Sequence, residues 1–225
     1  MSDPAPMHIR PTAPIATDAL LPGDPGRALA LAQGLLEQPR MCNHHRGLWG
    51  YSGSTPAGQG LTIQSTGLGG PSIGIVLAEL AALGVRRAVR VGTCSALAGG
   101  PPLAALIAVE GAIAAEGSSR SLGAAGTATP DPGLHQRLAA DGAGPALVAS
   151  VDVMLPDRDP APSGTGAGAA EMGSATLFTL GRDLGVAVAS VLVVARSATG
   201  EALDDERLAV ASLELGTLAA RALAG

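Results

Sequence analysis

Three short segments of this chain carry residues able to hold a phosphate. Leu20-Leu21-Pro22-Gly23-Asp24-Pro25-Gly26-Arg27 is an apolar run stopped by a glycine turn and an arginine. Ser65-Thr66-Gly67-Leu68-Gly69-Gly70-Pro71-Ser72 is a glycine-rich turn. Arg90-Val91-Gly92-Thr93-Cys94-Ser95 ends a buried apolar stretch with a guanidinium and hydroxyls. Phosphate requires convergent donors: arginine forks, backbone N–H groups and hydroxyls. Gly23 can offer its N–H, Arg27 and Arg90 their forks, and Thr93 its hydroxyl, while Gly67–Gly70 admits close backbone approach. Alone, each glycine run is an ordinary turn and each arginine an ordinary surface residue. All three, in this order and each at a predicted strand end, point to one anion site at the edge of an α/β sheet.

The rest of the chain reads as the scaffold for those ends. Ala19–Leu21, Leu61–Thr66, Ala88–Val91, Leu103–Val109 and Ala146–Val151 read as strands, and Gly47–Gly60 as a hairpin around Pro56. Helices are predicted over Arg27–Leu36, Pro71–Leu83, Pro132–Asp141, Ala170–Leu184 and Asp204–Leu223, from apolar spacing and start or stop residues such as Asp24-Pro25, Gly84 and Gly185. Val186–Val194 is almost continuously apolar, which suits a central strand covered on both faces. Strands alternate with helices, so the fold class is α/β: a single domain with a central mixed β-sheet flanked by helices. Residues 1–16 are Pro-rich and read as an extended N-terminal segment, leaving 17–225 as the domain. Gly117–Pro132 and Pro156–Gly168 read as mobile loops.

Composition narrows the chemistry. With 225 residues there is room for one sizeable domain; 47% are apolar but only 1% aromatic, so the core is aliphatic. All 14 basic residues are arginine, which excludes Schiff-base chemistry and a Walker-type lysine. A net charge of −5 without a basic block argues against a nucleic-acid partner. The first residues lack the layout of a signal peptide, and no apolar stretch reaches the ~20 residues of a membrane span. Cys42 and Cys94 form neither a disulfide framework nor a metal motif. Together these features read as a cytoplasmic protein with no membrane partner.

The three anion-binding segments resemble those of the nucleoside phosphorylase family, in particular its uridine phosphorylase and hexameric purine nucleoside phosphorylase branch. The resemblance runs from about His8 to the last helix. It implies that Gly23, Arg27, Arg90 and Thr93 bind phosphate. It also implies that His8 and Arg46, in Met7-His8-Ile9 and His44-His45-Arg46, complete a neighbouring subunit's site at the sugar 5′-hydroxyl and the phosphate respectively. The expected assembly is therefore a homo-oligomer with a dimer as its smallest active unit and a hexamer as the larger option.

Ala170-Glu171-Met172-Gly173 resembles the family's Glu-Met-Glu segment beside the ribose. Glu171 and Met172 match, and with Thr93 and His8 they are implied sugar contacts. Gly173 replaces the second carboxylate, which in the family holds the ribose 2′- and 3′-hydroxyls. Three readings follow: a deoxy or modified sugar, Glu171 swinging in, or a weak or inactive enzyme. Around the base, the resemblance implies Cys94, Ser95, Met154, Arg158 and Arg196. Arg196 stands after the late strand, where purine-type relatives carry an Asp and uridine phosphorylases an Arg, and that favours a pyrimidine. Arg158 and Pro160 fall where the uridine enzymes place a Gln and an Arg, so the base need not be plain uracil. The implied catalytic set is Arg90, Arg196 and Glu171. The implied reaction is reversible phosphorolysis of a nucleoside, plain or modified, with inorganic phosphate as co-substrate and no metal or organic cofactor. The alternatives are a nucleoside-binding homologue that has lost turnover, favoured by Gly173, and a nucleoside hydrolase.

Overall fold

The structure, a computed structural model, describes residues 6–155 and 164–225. Residues 6–17 form neither helix nor strand. Their backbone is tied down by Glu79, whose carboxylate accepts the N–H groups of Met7, His8 and Ile9 at 2.6–3.1 Å. The chain then alternates as its apolar pattern predicts. Strand β1 (Asp18–Pro22) is buried throughout. Helix α1 (Pro25–Leu35) follows, capped by the Asp24 carboxylate on Arg27 N. A three-stranded antiparallel ribbon comprises β2 (Glu37–Asn43), β3 (Gly50–Ser54) and β4 (Gly60–Gln64). After it come α2 (Gly69–Ala82), β5 (Arg87–Ala96), β6 (Leu106–Ala114), α3 (Gly117–Ser121), β7 (Thr127–Ala128) and α4 (Pro132–Ala140). The last elements are β8 (Gly144–Ser150), β9 (Ala169–Glu171), α5 (Ser174–Leu184), β10 (Ala187–Arg196) and α6 (Asp205–Ala224).

The strands form one mixed sheet. Its order is β10-β6-β8-β9-β5-β1-β4-β3-β2, and β10 also pairs β5, so five of the strands close into a ring. Two aliphatic cores lie on opposite faces. One packs Ile73, Leu77 and Leu80 of α2 and Leu177 and Phe178 of α5 against the even-numbered side chains of β5. The other packs Leu31 of α1, Leu138 of α4 and Leu215 of α6 against Val89 and Val91. Apolar residues on both sides of β5 and β10 explain their unbroken hydrophobic runs.

The register of β5 creates the opening used below. Its first half pairs β1, ending at Pro22↔Val91. Its end pairs β9, beginning at Ser95↔Ala170. Between those pairings, residues 92–94 have no strand neighbour on that side, and the sheet gapes.

Four expectations are corrected by the fold. Arg90 lies mid-strand, because β5 continues to Ala96 rather than ending near Val91. The Ala170–Leu184 helix is a strand and a helix: Glu171 ends β9, and Gly173 is the N-cap of α5. Gly117–Pro132 contains α3 and β7 rather than a bare loop; Glu116 caps α3 with its side chain on Ser119 N. β2 was not foreseen, because Gln38 at φ +48° and the following Pro39 break the alternation that marks a strand. Most of the predicted Pro156–Gly168 loop lies outside the described residues.

Candidate functional site

The gap beside β5 opens into a cleft of about 410 Å³ lined by strand ends and loops from across the chain. Gly23, Asp24, Pro25 and Arg27 come from the β1–α1 turn, Gly67, Leu68 and Gly69 from the β4–α2 turn, and Arg90, Gly92 and Thr93 from β5, with Met154 and Met172 at the rim. Thus the structure brings all three predicted anion-binding segments to one cleft.

The two turns are laced to each other by backbone bonds, Thr66 N donating to Pro22 O at 2.8 Å and Gly67 N to Gly23 O at 3.0 Å. So close is this approach that a Cβ at Gly23 would sit 3.2 Å from Gly67 O. Gly67 and Gly69 have φ of +75° and +78°, a region that costs L-residues strain. This geometry lays the first turn of α2 along the cleft. The α2 N-cap, Leu68, offers no side-chain acceptor, so the leading N–H groups and the positive end of the helix dipole are available to an anion.

The cleft is cationic. Arg27 is half-buried, and burial pushes its guanidinium below the ordinary value; the Asp24 carboxylate pulls upward and the like charge of Arg90 adds to the depression. Arg90 Nη2 pairs Glu171 Oε2 at 3.1 Å, and Arg90 Nη1 is buried with no hydrogen-bond partner among the described residues. The guanidinium lies over Gly92, where a Cβ would come 2.3 Å from Nη1. Two mutually repelling arginines and an unused buried N–H group are stabilised by an oxyanion placed between them.

Glu171 sits beneath this cleft. Its side chain is 0% exposed. Oε1 accepts from Ser150 Oγ and from Ser174 N at 2.9 Å; Oε2 accepts from Gly173 N at 2.9 Å and from Arg90 Nη2. Ser150 Oγ in turn accepts from Ala175 N at 2.9 Å. The first turn of α5 is thus capped from outside the helix by a carboxylate and a hydroxyl, and its glycine N-cap needs no side chain.

Other expected site residues stand apart from the cleft. Cys94 turns into the core: its Sγ donates to Val193 O at 3.6 Å. Burial, and secondarily Glu171, push that thiol up to about 12, against the opposing pull of Arg90. Ser95 is paired in the sheet on both sides, to Ala170 and Arg196. Arg196 is exposed at the end of β10, with Nη1 donating to Gly200 O at 3.3 Å. His8 is held by its own chain, Nδ1 lying 2.7 Å from Glu79 Oε1. Arg46 is exposed in the β2–β3 connection at φ +57°. Arg158 lies outside the described residues.

Sequence reasoning missed Ser150, Gly92 and Glu79 as supports. Ser150 had a signal, a lone hydroxyl at the end of an otherwise apolar strand; Glu79, 71 residues from His8 in sequence, had none. No group of three His, Cys, Asp or Glu side chains able to hold a metal occurs among the described residues. No described helix is long and apolar enough to cross a membrane.

Comparison with known proteins adds the following. The family model for the phosphorylase superfamily matches residues 17–224. A DeoD-type purine nucleoside phosphorylase of Oceanobacillus iheyensis is 46% identical over 84 residues, 37% of this chain and 35% of that protein. A protein of the same name from Clostridium novyi is 40% identical over 107 residues, 47% of this chain and 46% of that protein. The matched stretches therefore span less than half the length of these curated relatives. The crystal structure of uridine phosphorylase from Vibrio fischeri, complexed with 6-hydroxy-1-naphthoic acid, aligns with a TM-score of 0.80 at 23% identity, over 93% of this chain and 92% of that one, and so shares its fold.

Proposed function

This chain belongs to the phosphorylase superfamily, and from that premise we propose that it is a nucleoside phosphorylase. Phosphate is held by Arg27, Arg90, Thr93 and the Gly23 N–H. A phosphate oxygen bonds C1′ of the nucleoside as the glycosidic C1′–N bond breaks. The bonding pair leaves with the base, which then takes a proton, and the sugar departs as pentose 1-phosphate. Phosphate charge facing the developing oxocarbenium ion lowers the barrier. The observation that carries this reading is the pair of cleft arginines, one with a buried N–H group lacking any partner among the described residues. A mere nucleoside binder has no need of them.

We further assign the nucleoside as a pyrimidine, on the presence of Arg196 at the end of β10, the region where the purine mechanism uses a carboxylate. The name of the curated relatives favours a purine instead, so both base classes belong in the assay. For the sugar, Gly173 leaves no carboxylate to grip two hydroxyls, and Glu171 would have to break four bonds to replace it. This favours a 2′-deoxy or otherwise altered pentose. His8 and Arg46, remote from their own cleft, are assigned to a neighbour's site in a homo-oligomer. Inorganic phosphate is the co-substrate, and the residues of the cleft call for no other cofactor.

The test is incubation with uridine, 2′-deoxyuridine, thymidine, inosine and adenosine, with and without phosphate, followed by chromatography of free base and pentose 1-phosphate. Base release that needs phosphate supports the reading. Equal release without phosphate replaces it with the hydrolase, and no release from any nucleoside despite measurable binding replaces it with the non-catalytic homologue.

A further inference from the structure

Glu171 has a chemistry of its own beside the cleft. An ionised carboxylate offers about four acceptor positions, two per oxygen. In this chain all of them are used: Oε1 by Ser150 Oγ and Ser174 N, Oε2 by Gly173 N and Arg90 Nη2. With its side chain wholly buried, Glu171 has neither a free lone pair nor an open face for a sugar hydroxyl. Among the described residues its one charged partner is Arg90. The two backbone donors and the serine lock the carboxylate, and the carboxylate locks one end of the guanidinium. The guanidinium lies over Gly92 beside Leu192 Cδ2, in space that a Cβ at this position would take, so the glycine leaves the fork its place. Its other end, Nη1, is left without a partner in the wall of the cleft.

We infer that Glu171 is a positioning residue for Arg90: it fixes the guanidinium so that the free edge of the fork faces the phosphate, and it contacts no part of the nucleoside. This role rests on the reading of the cleft as a phosphate site. It assigns to a buried network of Ser150, Glu171 and the first turn of α5 the task of pre-organising an anion site. A fork already held in place loses less freedom when the anion binds. The network also explains how α5 starts on a glycine without a capping side chain.

The test compares Glu171→Gln, Arg90→Ala and their combination with the wild-type chain, by calorimetric phosphate affinity and by separate KM values for phosphate and nucleoside. Glu171→Gln is expected to weaken phosphate binding and raise the phosphate KM by roughly tenfold, a loss typical of one charge-assisted bond. The nucleoside KM should move less than twofold. In the Arg90→Ala background the second substitution should add nothing, because its effect runs through the missing guanidinium. Should Glu171→Gln fail to fold, Ser150→Ala keeps the carboxylate but loosens it, and is expected to weaken phosphate roughly threefold. A raised nucleoside KM with unchanged phosphate affinity overturns the inference in favour of a sugar contact. Independent, additive losses overturn it too, as does unchanged phosphate affinity in Ser150→Ala. A wild-type chain that binds no phosphate overturns both this role and the phosphate site, whereas intact wild-type binding with a silent Glu171→Gln overturns the role alone.

Discussion

Replacing Arg90 by alanine should damage stability and activity at once, and by separable amounts. On the stability side, the change strands the Glu171 carboxylate at 0% exposure without its cation. Removing one partner of a buried pair costs about 3–5 kcal/mol. Three donors, Ser150 Oγ, Gly173 N and Ser174 N, still hold the carboxylate, which places the loss near the lower end, about 3 kcal/mol. For a domain of this size that is a fall in Tm of roughly 6–12 °C. On the activity side, each charge-assisted bond lost to phosphate is worth about 1.5–3 kcal/mol, so kcat/KM for phosphate should drop by roughly 10- to 150-fold. Arg90→Lys separates the two effects. A lysine supplies a charge for Glu171 but cannot bridge carboxylate and phosphate with one rigid fork. It should recover part of the Tm and little of the activity. The assay is a thermal melt beside phosphate-dependent base release for all three proteins. A Tm change below about 2 °C in Arg90→Ala would refute the buried pair, and unchanged phosphate dependence would refute the site.

Arg27→Ala should lower turnover by a comparable factor but leave Tm nearly unchanged, since the half-exposed Arg27 side chain makes no ion pair among the described residues. Mixing inactive Arg27→Ala chains with inactive Arg46→Ala chains should restore part of the activity, because a mixed dimer contains one intact site; a fully active monomer at assay concentration would contradict the shared site. Gly173→Glu is sterically possible, as the nearest atoms to a Cβ there are Ile73 Cγ2 at 3.3 Å, Arg90 Nε at 3.6 Å and Ile73 Cδ1 at 3.7 Å. It should shift preference from 2′-deoxyuridine towards uridine, since a site built for a hydroxyl rejects the analogue lacking it by on the order of 10⁴-fold. Wild-type preference for uridine that this substitution abolishes would refute the reading of the position. The last prediction concerns pH. Burial pushes the Glu79 carboxyl up, but bonds from the His8 ring and from Ile9, His8 and Met7 N–H outweigh it, and the net shift is downward. A depressed carboxylate stabilises the folded state above its unfolded value and loses that contribution as pH falls through the folded one. The protection of the Met7–Ile9 amides, taken as the exchange rate corrected for its intrinsic pH dependence, should therefore hold down to the ordinary glutamate value of about 4.3 and fall as the pH passes below it. Glu79→Ala should remove that protection at neutral pH.

The fold was legible where the chain repeats simple periods. Val186–Val194 announces a doubly covered strand, and Asp204 with its acidic first turn announces α6. The segments that line the cleft were legible for a related reason: glycines that adopt positive φ, such as Gly67 and Gly69, and arginines such as Arg27 and Arg90 are visible as residue types. What sequence could not give is register. Whether Arg90 ends a strand or lies inside one depends on β9, a three-residue strand that starts at Ala169, 73 residues after the Ala96 it pairs. Likewise, Glu171 reads as a helix N-terminal acid until Ser150 and Arg90 are seen converging on it. Buried polar partnerships are non-local, and only a few residues at each end signal them.

The closed ring of strands has a consequence for how copies of this protein meet. Because β10 pairs both β5 and β6, the ring leaves no long free strand edge at that end of the sheet among the described residues. The free edge lies at the other end, on β2, and it is guarded: Gln38 at φ +48° distorts the strand, Pro39 removes a donor, and Glu37 and Arg40 place charges along it. Such features disfavour edge-to-edge strand addition, the usual route from a sheet to an uncontrolled fibre. On helix and loop surfaces, by contrast, association is set by side-chain complementarity rather than by backbone pairing.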